Sequence, residues 1–363
     1  MTDTKQEQIE AARLKADGLT RAQIAERMGL SARQVKSRLA AASRDPAIQG
    51  AMDAIGSGME PSTVWVKTDG YSVMLRPQTE ARDVIADIAD AFDNVRPADP
   101  VSAPTSVMDD LLTIYPLFDV HFGMLSWGDE TSEDYDTSLA SHDMNIAMNK
   151  TAALTPDSHT ALLLIGGDFF HADDGNAETP ASKHKLDVDG RHDRVIDLGV
   201  NLLANAVDML LHKHKEVRIK VLRGNHDENA HRILRVAMSQ RYRNEPRVIV
   251  DSGKADLFHM AWGVGLIAAH HGDRSKPERL ALEIADTCPE WSTTSQRYVF
   301  TGHVHHAQVK DMGAIQWESL RAFCPRDAYA AGHHYSSRRQ MQSITFHRED
   351  GLVLRAYDPV RRY

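Results

Sequence analysis

Apolar residues along this chain fall into short runs that stop abruptly at glycine, aspartate, asparagine or histidine. LLTIYPLFDVH (111–121) is the first of them, and LLLIGGDFFH (162–171), IKVLRGNHD (219–227), GLIAAHHGD (265–273) and YVFTGHVHH (298–306) repeat the form. Unbroken apolar runs of this length predict strands buried on both faces. Their carboxyl ends open into loops, where open α/β sheets place their sites. Between the runs the apolar spacing turns helical. Helices near 142–153, 190–214 and 229–242 separate or follow strands at 111–118, 161–166 and 217–222. Further strands are expected near 247–250, 264–269 and 298–301, with a strand-rich end that includes a hairpin around Glu349, Asp350 and Gly351. This alternation predicts an α/β class domain, a two-sheet sandwich flanked by helices, over about 107–363.

The amino end follows a different pattern. Residues 4–42 predict three short helices, each opened by a capping-box pair: Thr4 with Glu7, Thr20 with Gln23, Ser31 with Gln34. Gly18 and Gly29 stand where the first two should stop. The stretch GLTRAQIAERMGLSARQVKSRLA resembles the helix-turn-helix of DNA-binding regulators, with a second helix over about 21–28 and a recognition helix over about 32–41. The expected organisation is a helix-turn-helix domain over 1–45 and a connecting region over 46–106. That region contains a hairpin at 63–76 around Asp69-Gly70 and a helix at 78–94.

Charge changes the picture only locally. The net charge is −9, but residues 1–45 carry nine Lys/Arg against six acids, leaving +3 there and −12 on the rest. The stretch from Gly29 to Arg44 holds four basic residues, Arg33, Lys36, Arg38 and Arg44, and no acidic one, which suits a helix laid against phosphates. Arg33, Gln34, Lys36, Ser37 and Arg38 are the candidate DNA contacts. A helical bundle used for protein contacts is the plainer alternative. Two cysteines, Cys288 and Cys324, give neither a disulfide framework nor a zinc-thiolate pattern. No unbroken apolar run approaches the ~20 residues of a membrane span, and no signal-type segment opens the chain, so a cytoplasmic location is expected.

The five strand ends together carry Asp119-Val120-His121, Gly167-Asp168 with His171, Gly224-Asn225-His226-Asp227, His271-Gly272 and Gly302-His303-Val304-His305. Carboxylate, amide and imidazole ligands suit borderline divalent metals such as manganese, iron or zinc. A bridging carboxylate between two metals also fits phosphoryl chemistry. The order and spacing of these blocks over roughly 110–310 resemble the calcineurin-like metallophosphoesterase superfamily. The resemblance implies two divalent ions, manganese foremost and iron or zinc as alternatives. The first would be held by Asp119, His121, Asp168 and His305. The second would be held by Asp168, Asn225, His271 and His303. It further implies a metal-held hydroxide as attacking group, His226 as general acid and Asp227 orienting that imidazole. Whether His270 or His271 is the ligand depends on a one-residue register, and the family's His-Gly favours His271.

His171 in GGDFFH resembles the DNA-repair exonuclease branch more than the protein phosphatases. Those nucleases, however, carry further domains after the catalytic core. Here only about fifty residues follow His306, so a coiled-coil ATPase partner is not supported. The expected function is a nuclease or phosphodiesterase acting on DNA, with DNA as partner, no membrane, and a homodimer compatible but not demanded. Lys183, Lys185, Arg191, Arg194, Arg223, Arg232, Arg274 and Lys276 are candidates to line a strand path, with an ordinary solvated surface the plainer reading for each of them singly. The alternatives are a phosphatase or phosphodiesterase on a small or protein phosphoester, and a non-catalytic DNA-binding regulator.

Overall fold

The computed structural model describes residues 3–16, 18–44, 64–68, 71–75 and 97–361. The chain divides into two units, residues 1–90 and 91–363.

In the first unit, helices α1 (Asp3–Ala16), α2 (Arg21–Met28) and α3 (Ala32–Ala42) close on a small core of Ala11, Leu14, Ile24 and Val35. Reciprocal capping boxes form at Thr20–Gln23 and Ser31–Gln34, and Gly29 ends α2 in the left-handed conformation. α1 already begins at Asp3, so Thr4 lies inside the helix rather than capping it. Strands β1 (Val64–Thr68) and β2 (Tyr71–Leu75) pair antiparallel. The expected connector at 46–62, the Asp69-Gly70 turn and the helix at 78–94 lie outside the described residues.

Two of the candidate DNA contacts are occupied within this unit. Gln34 is committed to the cap of α3, where its side chain accepts from the Ser31 backbone and hydroxyl. Arg38 Nε donates to Glu7 Oε2 at 2.7 Å, tying α3 to α1. Arg33, Lys36 and Ser37 remain exposed on α3.

The second unit is an α/β sandwich of two sheets flanked by helices. The first sheet runs in the order β13 (Gly351–Asp358), β12 (Met341–His347), β3 (Met108–Leu117), β4 (Ser158–Ile165), β5 (Glu216–Val221), β6 (Val248–Val250). β3 to β6 are parallel neighbours. The second sheet runs β10 (Gln308–Met312), β11 (Ile315–Ser319), β9 (Gln296–Thr301), β8 (Gly265–Ala269), β7 (Phe258–Trp262). The period of two decides what each strand faces. Leu112, Ile114, Leu162 and Leu164 meet Ile267, Ala269, Phe300 and Phe346 in the core between the sheets. The alternate residues Tyr115, Leu117, Leu163 and Ile165 face outward. There they are covered by α4 (Thr137–Ala153), α5 (His192–Lys213) and α6 (Ala230–Arg241). α7 (Pro277–Thr287) lays Leu280 and Ile284 over the outer face of the second sheet.

β7 and α7 have no counterpart among the elements expected from the sequence. By length and composition α5 is apolar enough to cross a membrane, although Asn201, Asn205 and Asp208 prevent any long unbroken apolar run. Half of its apolar window is buried, with Leu203, Val207 and Leu210 turned into the core.

Beneath α5 a buried polar chain ties the layers together. His214 Nδ1 donates to the Ser158 carbonyl at 2.8 Å, so in the neutral ring Nε2 accepts from Tyr115 Oη at 3.0 Å. Burial pushes His214 down to about 4, partly opposed by the Ser158 hydrogen bond. A histidine depressed in the fold stabilises it above its unfolded pKa, and that contribution is lost as pH falls towards the folded value. Between pH 7 and pH 5 this amounts to about 2 kcal/mol. Urea denaturation at the two pH values should therefore show a smaller loss for His214→Gln than for the parent.

Candidate metal centre

All five ligand-bearing loops leave the carboxyl ends of strands. The loops after β3, β4 and β5 bring Asp119 and His121, Asp168, and Asn225 and His226 from adjacent strands of the first sheet. Those after β8 and β9 bring His271, and His303 and His305, from adjacent strands of the second. The backbone here is unusual. Asp119, His121, Asp168, His303 and His305 have φ of 51°, 47°, 51°, 69° and 61°, a region that favours glycine. Such conformations cost about 1–3 kcal/mol each and persist where surrounding contacts over-determine them, often at functional sites.

Those contacts are present. His121 N donates to Asp168 O at 2.9 Å, and His303 N donates to Asp119 Oδ2 at 2.9 Å. His226 N donates to Asp168 Oδ1 at 2.7 Å. Two glycines permit the approach: a Cβ on Gly224 would lie 1.9 Å from Asp168 Oδ1, and one on Gly302 2.4 Å from Asp119 Oδ2.

The side chains form two clusters with Asp168 common to both. In the first, His121 Nε2 lies 3.3 Å from His305 Nε2 and 3.9 Å from Asp168 Oδ2, while His305 Nε2 lies 3.6 Å from Asp119 Oδ1. In the second, His271 Nε2 lies 3.1 Å from Asp168 Oδ2 and 3.1 Å from Asn225 Oδ1, with His303 alongside. Asp119 and Asp168 are fully buried, and His303 and His305 are half-buried at the mouth.

The hydrogen bonding tests whether such a group suits cations. His271 Nδ1 sits 3.0 Å from the Gly166 carbonyl, so its proton belongs there. In the neutral ring, Nε2 then presents a lone pair to a carboxylate oxygen and an amide oxygen. Three electron pairs facing one another require a proton or a metal between them. Burial opposes charge on His271, but Asp168 outweighs it and raises the imidazole to about 10. Burial likewise opposes ionisation of Asp168, yet His271 and His226 hold its carboxyl well below the usual range. Burial, then His226, holds His121 well below the ordinary histidine value, leaving a neutral imidazole as a metal ligand needs. Carboxylate, amide and imidazole donors arranged in this way fit a pair of borderline divalent ions.

Asp227 occupies a different place from the one the resemblance implied. Asp227 does not orient His226. Its buried carboxylate accepts from the backbone N–H groups of Asp168 (3.2 Å), Phe169 (2.9 Å), Phe170 (3.3 Å) and Gly224 (2.7 Å), locking two ligand loops together. Burial, then the Asp168 charge, pushes it up to about 7. The His226 ring is fixed instead by the His171 carbonyl, 2.8 Å from Nδ1, and by stacking on the His171 ring. It meets the His121 ring edge-on at 4.6 Å, half-exposed beside the first cluster.

His171 Nδ1 meets His121 Nδ1 at 3.1 Å and orients that ring. His270 turns away and accepts from Gly272 N at 2.9 Å, so His271 is the histidine in the cluster. His306 is exposed and bonded within its own loop, and Asp273 is paired with Arg223. Cys324, which has no distinguishing sequence context, lies beside His121 and His305. Of the basic residues expected along a strand path, Arg223 is buried between Asp256 and Asp273. Arg274 is paired with Glu228 and Asp256, and Lys185 with Glu178. Among the described residues, Lys183, Arg191, Arg194, Arg232 and Lys276 have no carboxylate partner.

No protein-family profile matches the chain, and no curated protein matches it. Several solved structures do. YfcE, a phosphoesterase from E. coli, is 12% identical, covering 67% of this chain and 98% of its own, with a TM-score of 0.34. An archaeal phosphodiesterase is 14% identical over 64% of this chain and 92% of its own, at 0.32. Vps29 from Entamoeba histolytica, solved with zinc, is 11% identical over 69% and 99%, at 0.26. At such identities and scores these likenesses assign neither a residue nor a reaction to this chain.

Proposed function

We propose that the chain is a metal-dependent phosphoesterase of the calcineurin-like type, acting as a phosphodiesterase on DNA. The observation that carries this reading is the Asp168 carboxylate shared between two ligand clusters. Asp119, His121, Asp168 and His305 would hold one divalent ion, and Asp168, Asn225, His271 and His303 the other, with manganese the expected metal. When bound, such a pair supplies Lewis-acid activation of water and neutralises charge on the phosphoryl oxygens.

The chain's own residues contribute the rest. The left-handed loop backbones hold the ligands at fixed separation, which lowers the reorganisation needed during reaction. His171 keeps the His121 ring in one orientation and anchors His226 through its carbonyl. With Nδ1 directed at that carbonyl, His226 has Nε2 available at the site mouth. Protonated there, it would give its proton to the departing ester oxygen. His226→Ala should lower kcat on a DNA phosphodiester by about 10²–10⁴, with a much smaller loss on a p-nitrophenyl ester whose leaving group needs little protonation. Steady-state kinetics on the two substrates checks this. Equal losses on both would remove His226 from the proton-donor role.

DNA is favoured by the basic face of α3, where Arg33 and Lys36 are exposed and unpaired among the described residues. A helix-turn-helix on the same chain raises the effective concentration of the catalytic unit on duplex DNA. In the full chain, replacing Arg33 and Lys36 by alanine should lower the slope of log affinity against log salt by about 2, one condensed counterion per lost phosphate contact. The pairing of Arg223, Arg274 and Lys185 with acids favours a second reading, a small or protein phosphoester as substrate. Hydrolysis of p-nitrophenyl phosphate but not of DNA by the manganese-loaded protein would select it.

A further inference from the structure

Among the described residues, one place outside the strand-end clusters gathers three dissimilar ligand side chains. His259 lies on β7, an edge strand of the second sheet. Cys288 caps the carboxyl end of α7, and Glu290 follows in the 3-10 turn Pro289–Thr293. Their atoms form a triangle. Cys288 Sγ lies 3.3 Å from His259 Nδ1 and 3.0 Å from Glu290 Oε2, and His259 Nδ1 lies 3.3 Å from the same Oε2. Two widely spaced cysteines give no zinc pattern along the chain; Glu290 is two residues from Cys288, and folding brings His259 to them from 29 residues away.

A tetrahedral zinc ion, with bonds of about 2.3 Å to sulfur and about 2.0 Å to nitrogen and oxygen, sets its ligand atoms roughly 3.3–3.6 Å apart. The triangle differs from that by a few tenths of an ångström. The charges also suit a dication, because one thiolate, one carboxylate and a neutral imidazole make the loaded site neutral. Access is open: Cys288 is buried, while the side chains of His259 and Glu290 are 32% and 37% exposed. Among the described residues, β7 is paired on one side only, by β8. A cation here would clamp this edge strand to the end of α7.

We propose that His259, Cys288 and Glu290 form a mononuclear site for a thiophilic divalent cation, zinc by ligand type, separate from the strand-end centre. On binding, the Cys288 thiol releases its proton to solvent, and Sγ, His259 Nδ1 and Glu290 Oε2 donate lone pairs to the ion. The single N–H proton of the neutral imidazole is on Nε2, no electron is transferred, and water completes the fourth position. An open fourth position distinguishes this arrangement from closed four-residue structural sites.

Titration of the reduced full chain with Co²⁺ tests it, because sulfur-to-cobalt charge transfer reports a thiolate ligand that the carboxylate–imidazole centre lacks. The expected result is a near-ultraviolet band that disappears in Cys288→Ser. It should persist in Cys324→Ser and in Asp168→Asn, which keeps the result independent of the phosphoesterase reading. Zinc content should fall by one ion per chain in Cys288→Ser, with phosphodiesterase activity retained. The variants His259→Gln and Glu290→Gln, at half-buried positions, should weaken cobalt affinity at least tenfold, so the test does not depend on Cys288→Ser folding. Absence of the band, or a band of unchanged strength and affinity in Cys288→Ser, His259→Gln and Glu290→Gln, would overturn the proposal.

Discussion

Replacing Asp168 by asparagine is expected to lower kcat/KM for phosphodiester hydrolysis on the order of a thousand-fold, about 4 kcal/mol of transition-state stabilisation. Metal content should drop with it. The size of the effect follows from the position of this carboxylate. Asp168 Oδ2 faces His271 Nε2 at 3.1 Å and His121 Nε2 at 3.9 Å, while Oδ1 accepts from His226 N. The substitution preserves shape and the hydrogen bond to His226 N, but removes the charge common to both clusters. His121 and His271 then lose the anion that makes a dication favourable between them. Elemental analysis of the variant alongside steady-state kinetics measures both parts. A variant that retained full activity and both ions would show that the bridge is unnecessary.

Asp227→Ala is expected to destabilise the second unit by about 4 kcal/mol, lowering its melting temperature by roughly 10 °C. Four backbone N–H groups, those of Asp168, Phe169, Phe170 and Gly224, converge on this carboxylate with no water-exposed alternative. Leaving buried donors unsatisfied costs about 1–3 kcal/mol apiece before relaxation. Asp227→Asn keeps one acceptor oxygen and should lose about half as much. Because these donors belong to the loops after β4 and β5, weaker metal binding should accompany the loss of stability. Differential scanning calorimetry of the metal-free and metal-loaded forms separates the two contributions. A melting temperature unchanged in Asp227→Ala would contradict this role.

Much of the two-sheet frame was legible because its central strands are covered on both faces. Continuous apolar runs such as those at 111–118 and 161–166 leave no helical period to compete with a strand. The loops after them were legible through composition, since Asp, Asn and His gather directly after a run ends. β7 was not: FHMAW is short, and His259 and Met260 are only half-buried, so neither alternation nor an apolar run marks it. α7 does carry a signal, Pro277 at its first position and Leu280 with Ile284 one turn apart.

The fine geometry was hidden for another reason. Which atom Asp227 reaches depends on loop backbones from two strands, and the family resemblance implied a partner, His226, that the fold does not supply. Gln34 and Arg38 show the same effect: a basic, polar helix face reads as free until a cap and Glu7 claim two of its members. The choice between His270 and His271 needed the register of β8, which the Gly166 carbonyl and Asn225 fix only in three dimensions.

The account depends most on the claim that five strand ends bind a pair of cations across Asp168. Anomalous diffraction from crystals of the full chain grown with Mn²⁺ measures this directly. The account predicts two peaks flanking the Asp168 carboxylate, one against Asp119, His121 and His305, the other against Asn225, His271 and His303. Fully occupied manganese elsewhere in the crystal, with no peak beside Asp168, would contradict it.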